Sequence, residues 1–261
     1  MGPRKRQVKT TRRAEKHRAA KPLLPVTIIT SFKGGVGKTA IAVASSERAA
    51  HAGLKVLLVC TDPQMDAVKR LGYEPRFATP ISVLEETGEG GLLDVLCVNK
   101  EGLLDVLYRT PEFTAMYDVA IVDTAPEAKL GSLDHVRYWI PVDGRDAGQN
   151  TVVLLKHRQP TSTVVLVPVK HADVEDVGAL ADMLGVSFWG ETISDSVLVA
   201  EAHNDGMSVW SLSPRRGNLV EHLDLAAEIA LELWEDVHGN EPFPDHPDVS
   251  EVMEYVPVGW E

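Results

Sequence analysis

The sequence predicts an α/β protein: a mostly parallel, twisted sheet flanked by helices on both faces. Three observations lead there. Short runs rich in Val and Ile recur along the chain, "VTIIT" from 26, "VLLVC" from 56, "VAIVD" from 119, "YWIPV" from 138 and "VVLVPV" from 164. They are continuous rather than alternating, the pattern of strands covered on both faces. The segments between them are long enough for crossover helices, which makes right-handed βαβ winding the default. At 261 residues and 44% hydrophobic content, the chain can bury one substantial core without dividing into several domains.

Taken in order, residues 1–21 hold nine Lys or Arg against Glu15 alone, a charge of +8. The whole chain is at −12, so the remainder stands at −20, and tail and body are electrostatic opposites. Pro22 and Pro25 close the tail, and 1–24 is expected to be a basic, disordered extension ahead of one domain over 25–237. An Arg-rich, acid-poor N-terminus also has the composition of a transit peptide. The apolar run "LLPVTIIT" at 23–30 is too short for a signal peptide or a membrane span, so the chain is expected to be soluble.

A helix is expected from Thr39 to near Gly53. Another follows Gly217, where Leu219, Leu223, Ala226, Leu233 and Val237 fall on one stripe. "GLLDVL" occurs at 91–96 and again at 102–107, an offset that would set both copies on similar faces of a helix. Asn99 and Gly102 interrupt it, so the pair reads as coincidence or local duplication and not as a solenoid. Residues 238–261 carry six acids and no Lys or Arg, as a loose acidic tail would. The only cysteines, Cys60 and Cys97, have no C-x-x-C spacing, which argues against a disulfide framework or a zinc or iron–sulfur centre and fits a reducing cytoplasm.

The chemistry concentrates in "SFKGGVGKTA" at 31–40. The usual phosphate loop, G-x-x-x-x-G-K-[ST], would need a glycine at 32, where Phe32 stands; instead a second lysine, Lys33, precedes Lys38 by five residues. A strand running to Phe32, then glycines, then a helix from Thr39 lets backbone N–H groups converge on phosphate oxygens at a positive helix end. Gly34, Gly35, Val36, Gly37, Lys38, Thr39 and Ala40 are the candidate nucleotide-binding residues. Lys38 would reach the β and γ phosphates and Thr39 would ligate Mg²⁺.

This doubled-lysine loop resembles the deviant Walker A motif of the ParA/MinD ATPase group, a branch of the P-loop NTPase fold. "VLLVCTDPQ" at 56–64 is similar to that group's second strand and D-x-D-P-Q segment. "YDVAIVDTAP" at 117–126 is similar to its Walker B strand and the switch after it, and "ISDSVLVAEAHNDGMSVWSLSP" at 193–214 to the segment before its last helix. The resemblance implies ATP and Mg²⁺ as cofactors and a homodimer formed on ATP, in which Lys33 crosses to the partner's phosphates as an arginine finger does. It also implies that Asp62 positions the attacking water, that Thr39, Asp62 and Asp123 serve the metal, and that Lys33, Lys38 and Asp62 carry hydrolysis. A strand-end Asp62 capping the next turn and a solvated Asp123 are the plain structural alternatives.

Within the group the expected role is that of a ParA-type ATPase for DNA partition or cargo positioning. Nonspecific DNA and a ParB-like or other small adaptor would be its partners, and a cytoplasmic, nucleoid-associated location would go with the ATP state. The 24 residues before the loop are too few for the helix-turn-helix domain of larger partition ATPases. A MinD-like positioning switch is disfavoured because 238–261 offers no basic amphipathic helix for a membrane. A nucleotide-gated adaptor or regulator with little hydrolysis is favoured by two departures, Cys60 in place of the first acid of D-x-D-P-Q and Pro168 where an adenine-binding asparagine is usual; a third, no proline after Ile193, also touches the base pocket.

Overall fold

The structure, a computed structural model, describes residues 22–84, 91–126, 133–155, 161–212 and 219–245. In chain order these form β1 (Val26–Ile29), α1 (Lys38–His51), β2 (Lys55–Cys60), α2 (Asp66–Arg70), β3 (Ile81–Leu84), β4 (Leu92–Cys97), α3 (Lys100–Arg109) and α4 (Pro111–Thr114). Then come β5 (Val119–Asp123), β6 (Arg137–Val142), α5 (Arg145–Leu155), β7 (Thr163–Pro168), α6 (Val174–Leu184), β8 (Ser187–Phe188), α7 (Val197–Asn204) and α8 (Leu219–His238). The eight strands lie in the order β3-β4-β2-β5-β1-β6-β7-β8, and every pairing is parallel except β3 with β4. The basic tail and residues 246–261 lie outside the described residues.

All five apolar runs are strands, and both faces of the sheet are covered. On one face Ile29, Leu58, Ile121 and Trp139 pack with Ile41 of α1 and with Leu225, Ile229 and Leu233 of α8. On the other, Ile28, Leu57, Ala120 and Ile140 pack with Leu103, Val106 and Leu107 of α3 and Val177 and Ala181 of α6. Each fully buried aliphatic side chain contributes about 1.5–3 kcal/mol, so neither face can be left to water. The run at 26 ends as a strand at Ile29 rather than at Phe32; Thr30 and Ser31 stay buried as the chain leaves the sheet for the loop.

Helix α1 is the keel of the domain. Its "KTAIAVASSERAAH" carries few large side chains and every residue but Thr39 is buried, so sheet, α2 and α8 all approach it closely. Gly91 shows how close: a Cβ there would stand 1.8 Å from the Ala50 carbonyl oxygen. In α8 the stripe differs from the expected one. Leu219, Ala226 and Leu233 are buried, joined by Leu225, Ile229, Ala230 and Trp234, whereas Leu223 is only partly buried and Val237 is exposed. The helix lies against α1 along a broader face than five spaced positions describe.

The two "GLLDVL" copies have different structures. The first enters β4, with Leu93 and Val95 on one face of the sheet and Leu96 on the other. The second lies within α3, where Leu103, Val106 and Leu107 share one helical face. Asn99 separates them by capping α3, its Oδ1 accepting from the Gly102 N–H at 2.8 Å. β3 and β4 were not expected as strands; the second copy's helical spacing hides the first's alternation. At the other end, part of the expected acidic tail packs on the body: Phe243 lies on Trp234 and under the Arg48 guanidinium, which also donates to the Pro244 carbonyl.

Glu47 of α1 is fully buried, and among the described residues neither carboxylate oxygen closes a hydrogen bond of normal geometry. Burial pushes it up to about 8 from the usual 4.5, the Ser208 hydroxyl working weakly against this. A carboxyl raised on folding favours the folded state fully below pH 4.5 and loses that contribution as pH rises through 8. Glu47→Gln should therefore flatten the fall in stability between these limits and make the protein about 2 kcal/mol more stable at pH 8.5, measured by urea unfolding across pH.

Candidate nucleotide site

β1 is central, with β5 and β6 on either side, and the chain winds outward in both directions from it. That is the switch point at which open α/β sheets bind ligands, beyond the strands' carboxyl ends. The loop 30–37 leaves β1 there and turns directly into α1. Gly35 and Gly37 have φ of 70° and 87°, a region that costs a side-chain-bearing residue about 1–2 kcal/mol. Gly37 is also the helix N-cap and no side chain caps α1, so the N–H groups of its first turn face outward without a side-chain partner, as an anion site requires.

The candidate residues divide by depth. Lys33, Gly34 and Gly35 are exposed. Val36 and Ala40 turn their side chains into the core, so only their backbones belong to the loop's concave side. Lys38 is 6% exposed and its ammonium donates to the Lys33 carbonyl at 3.0 Å, which curls the side chain back over its own loop. Burial lowers its pKa, while Asp123 and Asp62 oppose the shift; both carboxylates thus share its surroundings.

Asp123 ends β5, registered with Ile29 on one side and Cys60 on the other. It is wholly buried, and among the described residues both side-chain oxygens lack a hydrogen-bond partner; the Thr39 hydroxyl faces it without closing a bond of normal geometry. Burial pushes it up to about 7, with Thr39 and Lys38 pulling down. A sequestered, unpartnered carboxylate beside a threonine hydroxyl and a phosphate-type loop suits a hydrated Mg²⁺, and it rules out a solvated surface acid. Asp62 lies at the edge of the same site. Its Oδ1 accepts from the Gln64 N–H at 2.9 Å, as in the turn-capping alternative. Met65, just beyond, has φ of 52°, so the segment after Asp62 is held in a conformation that most side chains avoid.

Asp143, just past β6, was not foreseen. It is 9% exposed and forms an ion pair with the half-exposed Lys33, a contact that holds its carboxyl below the usual range. An acid one residue beyond the strand "YWIPV" was the available signal. Arg70 was missed as well. It lies within electrostatic reach of Asp123 and meets Nδ1 of His203 at 2.6 Å. His203 is pushed down to about 3 by burial and by Arg70, so its neutral ring accepts there. The two departures at the expected base pocket come together: Ile193 N–H donates to the Pro168 carbonyl at 2.9 Å, and the Lys170 N–H to Ile193 at 2.8 Å.

Residues 27–209 match the model of the CobQ/CobB/MinD/ParA nucleotide binding domain. The chain belongs to this family. The sporulation initiation inhibitor protein Soj of Bacillus subtilis is 24% identical over 247 residues, covering 78% of this chain and 98% of the relative. Among solved structures, the MinC:MinD cell division protein complex of Aquifex aeolicus aligns with a TM-score of 0.58 at 20% identity, over 85% of this chain and 99% of the other. Cobyrinic acid a,c-diamide synthase of Mycobacterium smegmatis, with bound ATP analog and magnesium, aligns at 0.55 and 19% identity, over 85% and 98%. The family accounts for the loop and the sheet order together: both serve a nucleotide at the β1 switch point. No described helix is long and apolar enough to cross a membrane.

Removing the unpartnered charge at Asp123 should separate stability from ligation. Asp123→Asn should raise the melting temperature of the nucleotide-free protein above pH 7, where the wild-type carboxylate is ionised in a buried site. The same variant should lose the magnesium dependence of nucleotide binding, read by calorimetry with and without chelator.

Proposed function

We propose that this chain is an ATP-hydrolysing switch of the ParA type, which binds ATP with Mg²⁺, dimerises on it, and uses the cycle to position DNA or another cargo. The observation that carries this reading is the unequal placement of the loop's two lysines. Lys38 is buried against its own loop within electrostatic reach of two carboxylates, whereas Lys33 is half exposed and, among the described residues, ion-paired with Asp143. This supports a division of labour in which Lys38 serves its own nucleotide and Lys33 is drawn elsewhere once Asp143 releases it.

In this mechanism Lys38 and the N–H groups of the glycine loop hold the β and γ phosphates, and Thr39 and Asp123 hold the hydrated metal. Mg²⁺ when bound neutralises charge on the phosphate oxygens. Lys33 leaves Asp143 for the phosphates of a partner subunit, so dimerisation requires ATP. Asp62 orients the attacking water, and the segment after it, strained at Met65, reports the change to bound partners. A relative that forms a complex with MinC supports an adaptor protein that binds the dimer and stimulates hydrolysis. The basic tail of residues 1–21, set against a body at −20, is the element best suited to nonspecific DNA. One observation favours a slow, nucleotide-gated adaptor instead: Asp62 already has one oxygen committed to the Gln64 turn.

Three variants test the chemistry. Lys38→Ala should abolish ATP binding; Lys33→Ala should bind ATP as a monomer with turnover reduced by about 10³ or more; Asp62→Ala should dimerise and persist in the ATP state. ATP-dependent dimers and wild-type turnover in Lys33→Ala would overturn the in-trans role. Negligible turnover in the wild-type chain, with DNA and candidate partners present, would select the adaptor reading.

Deleting residues 2–21 tests the DNA arm. If five or six of its cations meet phosphates, the full chain should lose affinity for duplex DNA with a log–log salt slope of about −5 per subunit. The deletion should remove both affinity and slope while leaving ATP-dependent dimerisation intact. An unchanged slope would move the contact to the body, with Arg215 and Arg216 the first residues to examine.

A further inference from the structure

Cys60 ends β2 and Cys97 ends β4, and the parallel register sets them directly opposite each other. Both side chains belong to the same buried face of the sheet, in one apolar cluster with Ala67 and Val68 of α2. Neighbouring strands run about 4.8 Å apart, within the Cα separation of about 4.4–6.8 Å that a disulfide spans. Both are free thiols. They are 1% and 2% exposed, yet both line a cavity of about 440 Å³ that also touches Asp62, Pro63, Phe77 and Asn99. That volume admits a small oxidant. The Cys60 thiol also donates to the Asp62 carbonyl at 3.8 Å, which couples its sulfur to the loop carrying that acid.

We propose that Cys60 and Cys97 form an oxidation site that takes a hydroperoxide as co-reactant and closes to an intramolecular disulfide, slowing nucleotide turnover by displacing Asp62. With hydrogen peroxide, the sulfur of one cysteine attacks the O–O bond. That bond breaks, a sulfenic acid forms, and the second oxygen leaves as water with the thiol proton. The neighbouring thiol attacks the sulfenic sulfur; the S–S bond forms as the S–O bond breaks, and the hydroxyl leaves with the second thiol's proton as water. Two electrons pass from the thiols to the peroxide, which ends as two waters. The S–H donor to the Asp62 carbonyl is then gone, and the sulfurs are drawn to about 2.05 Å from each other. A dithiol reductant reverses the step.

The effect on turnover rests on Asp62 acting in hydrolysis; the disulfide itself does not. Reduced full-length protein, freed of reductant, is treated with hydrogen peroxide in modest excess. Free thiols are counted after denaturation, intact mass is recorded, and ATP binding and turnover are measured before and after re-reduction. The proposal expects thiols to fall from two to none, the mass of a monomer to drop by two hydrogens, and turnover to fall about tenfold and recover with reductant. Cys97→Ala, which keeps the Cys60 side chain beside the Asp62 carbonyl and cannot close the disulfide, should retain turnover after the same treatment. Retained thiols, oxygen adducts in place of the mass loss, or disulfide-linked dimers would overturn the site. A disulfide formed with unchanged turnover would overturn its coupling to Asp62. If the reduced chain has no turnover, it is the ATPase reading that fails, and the mass and thiol count still decide the disulfide.

Discussion

The burial of α1 is the constraint on which the rest of the molecule depends. The helix is enclosed by the sheet, α2 and α8, with only Thr39 outside the buried set. Because the helix cannot shift, its N-terminus is fixed at the end of β1, and the loop between them has a single path. The unsatisfied N–H groups of that first turn are thus presented at a set place on the sheet. Small residues make this possible: Ala42, Ala49 and Ala50 are wholly buried, and larger side chains would force the sheet and α8 apart.

A second consequence is electrostatic. The same enclosure desolvates Glu47, Lys38 and Asp123, and none of the three is fully compensated by a hydrogen-bonded partner of opposite charge. Native proteins keep such groups where stability has been given up for chemistry. Lys38 and Asp123 sit at the loop, where the proposed phosphate and metal chemistry would use them. Glu47 lies three turns further along the same helix, under Ser208 and the 3-10 turn Val209–Ser211.

How much was legible depended on how local the cause was. The five buried strands, α1 and the glycine loop were readable because their signals lie in consecutive residues. β3 and β4 were not, and "GLLDVL" explains why: one hexapeptide is a strand at 91–96 and a helix at 102–107. Its own periodicity fits either state, and the choice comes from what each copy packs against and from the Asn99 cap. The packing of Phe243 and Pro244 on the body was not legible for a similar reason. An acid-rich, Pro-containing stretch reads as unfolded until Phe243 and Pro244 meet Arg48, a partner nearly two hundred residues away.

At the site the sequence by itself laid out the glycine loop and its two lysines within a few consecutive residues, and the resemblance to the ParA/MinD group singled out Asp62 and Asp123 as candidates. Tertiary structure alone decided their conditions. It buried Lys38 and left Lys33 half exposed, brought Asp143 to Lys33 from 110 residues away, stripped Asp123 of partners, and set Cys60 against Cys97. Burial, ion pairing and thiol proximity depend on which strands become neighbours. In a parallel sheet that order comes from crossover helices packing across the whole domain, and no window of consecutive residues contains it.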